Sequence, residues 1–277
     1  MKGQLLKRIT SGAVFLCLMV GGLLLSEYAY ALVMLCILCV AISELYRMLV
    51  PKRFFKEKLC IFCAASAFYI IAFFCRRSGL DTGWLALCFI PVLLAFILMI
   101  YSCKDDYELD TAVFLPLPYV ALPVASTLFL TYLCSGYTPW IILSVFLMIW
   151  MNDVGAYCFG MGLGQKPDSR KLFPEISPKK SWIGTVGGTL FTLATALAVY
   201  FIYGRQYLPV WIWIAIAAVV SVVGVYGDLF ESLIKRHAQV KDSGSIIPGH
   251  GGIMDRFDDV FFVMPCVAII LIISNLV

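Results

Sequence analysis

Charge is scarce in this chain. Only 14% of its 277 residues are Asp, Glu, Lys or Arg, while 62% are hydrophobic. Soluble domains carry roughly a quarter charged residues and about half apolar ones. An apolar excess of this size cannot be folded away inside one aqueous domain of this length, which excludes an ordinary soluble fold. Repeats, low-complexity tracts and any polar stretch long enough to form a separate soluble domain are also missing. Whatever chemistry the chain performs must therefore sit within or between its apolar runs.

Partners for the eleven cysteines are lacking too. Cys36/Cys39 and Cys60/Cys63 have C-x-x-C spacing, but no histidine or further Cys pair lies near enough in sequence to complete four zinc ligands. These thiols are expected to pack as buried apolar residues on helix faces. Strict alternation of polar and apolar residues is absent as well, which excludes a membrane β-barrel.

What the sequence has is a series of apolar runs of spanning length: residues 9–25, 28–49, 59–75, 83–102, 111–134, 140–160, 182–203, 209–229 and 260–276. About 20 residues cross a hydrocarbon core as helix, and lipid leaves helices as the available spanning form. The expected fold is all-α, a polytopic integral membrane protein with about nine transmembrane helices. Positive charge orients it. With the N-terminus in the cytoplasm, eighteen Lys and Arg residues fall inside and only Arg76, Arg77 and Arg205 outside. Lys2, Lys7 and Arg8, the following apolar run and Ala29-Tyr30-Ala31 also resemble a cleavable signal. Retention is the expectation, since the same flanks serve a first spanning helix. Residues 1–135 form an N-terminal region of about five spans. Residues 136–277 form a C-terminal region with cytoplasmic loops 165–181 and 231–259.

Carboxylates inside spans are costly and are functional candidates by default. Asp153, in Asn152-Asp153-Val154-Gly155, and Asp228, in Gly227-Asp228, both fall near the cytoplasmic face. The last loop is denser in polar groups. Asp255 and Asp258 are spaced i, i+3 and share one face of a helix, an arrangement suited to Mg²⁺. Lys235, Arg236, Lys241 and Arg256 supply cationic donors for phosphates. The Gly249–Gly252 turn around His250 lets backbone amides approach an anion. In the other loop, Ser177, Lys179, Lys180 and Ser181 precede a span, where they set topology, meet anionic head groups or cap the helix. Each residue alone reads more often as part of a solvated connector. The combination of acids, cations and glycines in so short a stretch is what argues for a site.

Residues 232–258 closely resemble the signature of the phosphatidate cytidylyltransferase (CDP-diacylglycerol synthase) family. The matching positions are Ser232, Lys235-Arg236, Lys241-Asp242, His250-Gly251-Gly252 and Asp255-Arg256-Phe257-Asp258. Asn152-Asp153, Ser177-Pro178-Lys179-Lys180-Ser181 and Gly227-Asp228 also look like that family. The resemblance covers the C-terminal half; the first 130 or so residues share only an apolar, helical character.

The resemblance implies an enzyme of phospholipid biosynthesis that converts CTP and phosphatidate into CDP-diacylglycerol and pyrophosphate. It implies a divalent cation, usually Mg²⁺, with room for a second metal. It further implies a site on the cytoplasmic side of the cell membrane and a homodimer, and it calls for no nucleic acid. On this reading Asp228, Asp255, Asp258, Lys241 and His250 are catalytic. Asp228 and Asp255 hold metal, with Asp153 and Asp258 as further ligands. Ser177, Lys179, Lys180, Ser232, Lys235, Arg236 and Arg256 bind substrate. Three rival readings remain: a cation transporter lined by Asp153 and Asp228, a lipid-binding protein without activity, and a CTP-dependent transferase acting on another lipid.

Overall fold

The computed structural model describes residues 2–102, 111–132, 136–164 and 169–274, without the side chains of 2–9 and 102. Lys104, Lys166 and the start of the 165–181 loop lie outside the described residues, as do the side chains of Lys2, Lys7 and Arg8. Nine α-helices run through the described residues: α1 (Lys2–Leu25), α2 (Glu27–Leu49), α3 (Phe55–Ser78), α4 (Phe89–Ser102), α5 (Leu122–Thr131), α6 (Trp140–Gly162), α7 (Trp182–Ile202), α8 (Val210–His237) and α9 (Met254–Ile273). Among the described residues, seven helical stretches are long and apolar enough to cross a membrane. A shorter apolar helix covers Thr10–Leu25. The start of α9 carries Asp255, Arg256, Asp258 and Asp259. The chain is a polytopic, helical membrane protein.

One piece of the expected loop 165–181 is strand. Strands β1 (Lys171–Phe173) and β2 (Ser177–Ser181) pair antiparallel, with Phe173 opposite Ser177 and Lys171 opposite Ser181. Pro174 explains the reversal. Its fixed φ suits the second position of a β-turn, and the turn closes with Ile176 N–H donating to Phe173 O at 3.3 Å.

Two compact units divide the chain. The first comprises Met1–Tyr132 and Ala238–Phe257, so the last loop groups with the N-terminal helices and not with the C-terminal region that follows residue 135. Ser26 caps α2 by accepting from Ala29 N–H at 3.1 Å. Tyr46 on α2 donates to Val113 O at 2.8 Å. Pro118 before α5 and Pro123 in its first turn lack amides for the regular ladder. One wider turn over Leu117–Ala121 results, closed by Leu122 N–H donating to Leu117 O. The described cysteines are free thiols. Cys36 and Cys63 are exposed and Cys39 and Cys60 half-buried, so both C-x-x-C pairs lie at the outer surface. The expectation of buried thiols is corrected: in a membrane helix the lipid-facing side is as apolar as the core, and hydrophobicity does not separate the two.

The second unit comprises Leu133–His237 and Asp258–Val277. Helices α6 and α7 cross at glycines, the small-residue packing that membrane helices favour. A Cβ added to Gly155 would lie 2.6 Å from Gly187 O, and one on Gly188 2.6 Å from Asn152 Oδ1. Thr192 then donates to Asn152 Oδ1 at 3.2 Å. Helix α8 has 28 residues, about 42 Å at 1.5 Å per residue. It therefore continues well past Asp228, and Glu231, Ser232 and Lys235 are helical rather than part of the loop.

Candidate functional site

Within the second unit a close helix crossing gathers the acids. A Cβ on Gly227 would lie 2.5 Å from Asp258 O and 3.1 Å from Asp259 Cα. Only glycine lets the α8 and α9 backbones meet there, and that approach puts Asp228 beside Asp258. One carboxylate oxygen from each of Asp228, Glu231 and Asp258 lies within 4.8 Å of the others. Cations flank the trio. Lys180, at the end of β2, is 2.5 Å from Asp228 Oδ2, and Lys235 is 2.5 Å from Glu231 Oε2. Ser232 Oγ donates to Asp228 Oδ1 at 3.3 Å.

A cavity of about 300 Å³ adjoins the trio, lined by Asn152, Asp153, Lys179, Lys180, Asp228 and Asp259 among others. Asp153 and Lys179 are exposed there. Asp259 is 7% exposed, and its Oδ1 has no hydrogen-bond partner among the described residues. Buried polar atoms are nearly always paired, so this oxygen marks a place for a cation or donor. Ser177 pairs with Phe173 in the hairpin. Ser181 caps α7, accepting from Gly184 N–H at 3.2 Å.

The residues of the signature from Lys241 to Phe257 belong to the first unit. Asp255 Oδ2 accepts from Ser243 N–H at 2.9 Å, Ser243 Oγ at 3.0 Å and Gly252 N–H at 2.7 Å. Arg256 donates from Nε and Nη2 to His250 O at 3.2 and 3.1 Å. His250 N–H donates to Ile247 O at 2.9 Å, and its Nδ1 lies 3.1 Å from Ser11 Oγ on α1. Gly249 and Gly251 have φ of 80° and 87°, the left-handed region that glycine tolerates. In this turn the amides of His250 and Gly252 are spent internally. The glycines shape the loop there. Lys241 and Arg236 are exposed.

Sequence reasoning passed over Glu44. This fully buried residue of α2 accepts from Ile253 N–H at 3.1 Å, Met254 N–H at 3.0 Å and Ser243 Oγ at 3.0 Å. It thus caps α9 from another helix, satisfying amides that a helix N-terminus leaves open. Its only signal was an acid in an apolar run, the criterion that singled out Asp153 and Asp228. Glu231 and Asp259 were also missed as site residues, because a motif spacing does not reveal which carboxylates converge.

Residues 6–274 match the model of the family described as the cytidylyltransferase family. A protein named phosphatidate cytidylyltransferase from Staphylococcus haemolyticus is 34% identical over 277 residues, covering 98% of this chain and 99% of that protein. The protein of that name from Staphylococcus epidermidis is 34% identical over 278 residues, with the same coverage. The one from Staphylococcus aureus strain COL is 46% identical over 131 residues, 47% of this chain and 48% of that protein. With nearly its whole length matched, this chain belongs to the cytidylyltransferase family.

Proposed function

We propose that this membrane enzyme transfers the cytidylyl group of CTP to phosphatidate, giving CDP-diacylglycerol and pyrophosphate. The observation that carries the reading is the trio Asp228, Glu231 and Asp258, flanked by Lys180 and Lys235, beside a cavity lined by Asp153, Lys179 and Lys180. An oxygen of the lipid phosphate attacks the α-phosphorus of CTP. The bond from that phosphorus to the bridging oxygen breaks, and pyrophosphate leaves with the electron pair. Because the nucleophile is already an anion, no strong base is needed. The task is to hold two polyanions together and to stabilise the leaving charge, which is positioning and electrostatics.

The residues fit a divalent cation. Three carboxylates so close repel one another, and hard oxygen donors suit Mg²⁺. The unpartnered oxygen of Asp259 adds to that demand. Asp228, Glu231 and Asp258 would hold the ion, with Asp153 and Asp259 at the cavity wall. When bound, it would neutralise phosphate oxygens and the departing pyrophosphate. Lys180 and Lys179 would meet substrate phosphate, Lys180 by exchanging Asp228 for an incoming oxygen. Lys235 holds Glu231 in place, and Ser232 does the same for Asp228. Arg256, Lys241 and Arg236 present charge to a phosphate from their own segments. Asp255 and His250 shape the loop that carries Lys241 and leads into Arg256 on α9. The site faces the cytoplasm on this reading, where CTP is available and phosphatidate can be reached from the leaflet.

The test is product mass. Purified protein is incubated with CTP, Mg²⁺ and separate lipids: phosphatidate, other lipid phosphates and a polyprenyl alcohol. A CDP-lipid formed with phosphatidate is the expected result, abolished by chelation and restored by Mg²⁺. Absence of CTP consumption with every lipid overturns the reading, and product only with another acceptor reassigns the substrate.

A further inference from the structure

The first unit contains an apolar groove that the phosphate chemistry does not use. Its volume is about 630 Å³, within the range of ligand sites. Val14, Phe15 and Leu18 of α1 form one wall, and Ile246, Ile247 and Pro248 of the last loop form the other. The second wall is unexpected from composition. The loop is polar elsewhere, yet it turns an Ile-Ile-Pro run toward the groove and leaves Ile246 53% exposed. A loop that served only as a connector would have no reason to expose it.

The groove also has a polar end. Ser11, one turn before Phe15, lines it and donates to Pro248 O at 2.8 Å. The same hydroxyl lies 3.1 Å from His250 Nδ1. His250 in turn holds Arg256 through its carbonyl. Two of the guanidinium nitrogens are engaged in this way, and the Arg256 side chain is exposed with no carboxylate partner among the described residues. Apolar walls thus lead through Ser11 and His250 to a guanidinium with donors to spare. That gradient matches a molecule with a hydrocarbon body and an anionic head. A second copy of this chain would offer apolar surface but would not need the basic end.

We infer that this groove seats an acyl chain of the lipid substrate, with the lipid phosphate directed toward Arg256. The inference rests on the function proposed above, which requires a lipid phosphate, and it adds the subsite that reads the chain. Shape and burial in such a groove discriminate chain length through apolar contact, with a methylene worth roughly 10- to 200-fold in kcat/KM.

Two measurements test it. In the first, kcat/KM is determined for dipalmitoyl and dihexanoyl phosphatidate in wild type and in Val14→Trp, which fills the groove from an exposed position on its wall. The ratio of long-chain to short-chain kcat/KM is expected to fall about tenfold or more. In the second, wild-type protein is photolabelled with phosphatidate carrying a diazirine in one acyl chain. Labels are expected on the peptides containing Val14 to Leu18 and Ile246 to Pro248, and they should be competed by unlabelled phosphatidate. An unchanged ratio with labels elsewhere overturns the inference. So does a changed oligomeric state of Val14→Trp with an unchanged ratio, which makes the groove an interface between copies. If wild type forms no CDP-lipid at all, the proposed function fails instead, while photolabelling still reports whether an acyl chain occupies the groove.

Discussion

Each unit has a cluster of carboxylates, and the two clusters are wired in opposite ways. In the first unit Glu44 and Asp255 face donors: the backbone amides of Ser243, Gly252, Ile253 and Met254, with the Ser243 hydroxyl between them. That hydroxyl has one hydrogen for two carboxylate oxygens, each 3.0 Å away. In the second unit Asp228, Glu231 and Asp258 face one another, beside an Asp259 oxygen with no partner. Carboxylates saturated by amides hold a backbone in place. Carboxylates crowded against each other have capacity left for a cation. Residue type is the same in both places, and the neighbours decide the role.

The largest effect belongs to the crowded cluster. Asp228→Asn or Asp258→Asn is expected to lower kcat about 100- to 1000-fold, the magnitude of losing one preorganised electrostatic contact. The melting midpoint should hardly move, and the Mg²⁺ concentration for half-maximal activity should rise. Activity within a few-fold of wild type at ordinary Mg²⁺ would remove this cluster from the chemistry. Glu44→Gln should produce the converse pattern. It replaces an acceptor facing Met254 N–H by an amide donor, so a buried amide loses its partner at a cost of about 1–3 kcal/mol. A lower melting midpoint, with kcat per folded molecule close to wild type, is the expected outcome. A large fall in kcat at an unchanged midpoint would place Glu44 in the chemistry and break the comparison.

Much of this was legible in the sequence. Run length and hydropathy located the helices because lipid leaves the backbone no other way to satisfy its hydrogen bonds. Asp153 and Asp228 stand out by the cost of a carboxylate in a span and Lys180 by its place before a span and the family resemblance, and the three line one cavity. The pairing of partners was hidden. Gly227 reads as a small residue beside an acid, and only the α8–α9 crossing reveals that a side chain there would strike the Asp258 carbonyl. Glu44 caps amides about 200 positions away in sequence, and no local pattern encodes such a contact. The β1–β2 hairpin has no strand signal in the sequence because its strands are short and flanked by charge. Exposed and buried cysteines look alike in the sequence because lipid and core select the same residues.

The smallest effect is the most discriminating, because it concerns the residue on which the sequence spacing and the wiring disagree. Asp255 and Asp258 are one turn apart on α9, which groups them as co-ligands. The hydrogen bonds separate them, since Asp255 Oδ2 already accepts from the Ser243 and Gly252 amides and shares the Ser243 hydroxyl with Glu44. Asparagine keeps an acceptor oxygen that can occupy the Oδ2 position, so Asp255→Asn retains the amide contacts and loses only the charge. Near a helix N-terminus that charge is worth about 0.3–1 kcal/mol. The expected result is a stability loss of that size, kcat within about threefold of wild type and an unchanged Mg²⁺ requirement. Asp255→Ala, which removes the acceptor, should destabilise by more, about 1–3 kcal/mol. A hundredfold fall in kcat for Asp255→Asn at unchanged stability, with a raised Mg²⁺ requirement, would return Asp255 to the metal ligands and erase the contrast between the two clusters.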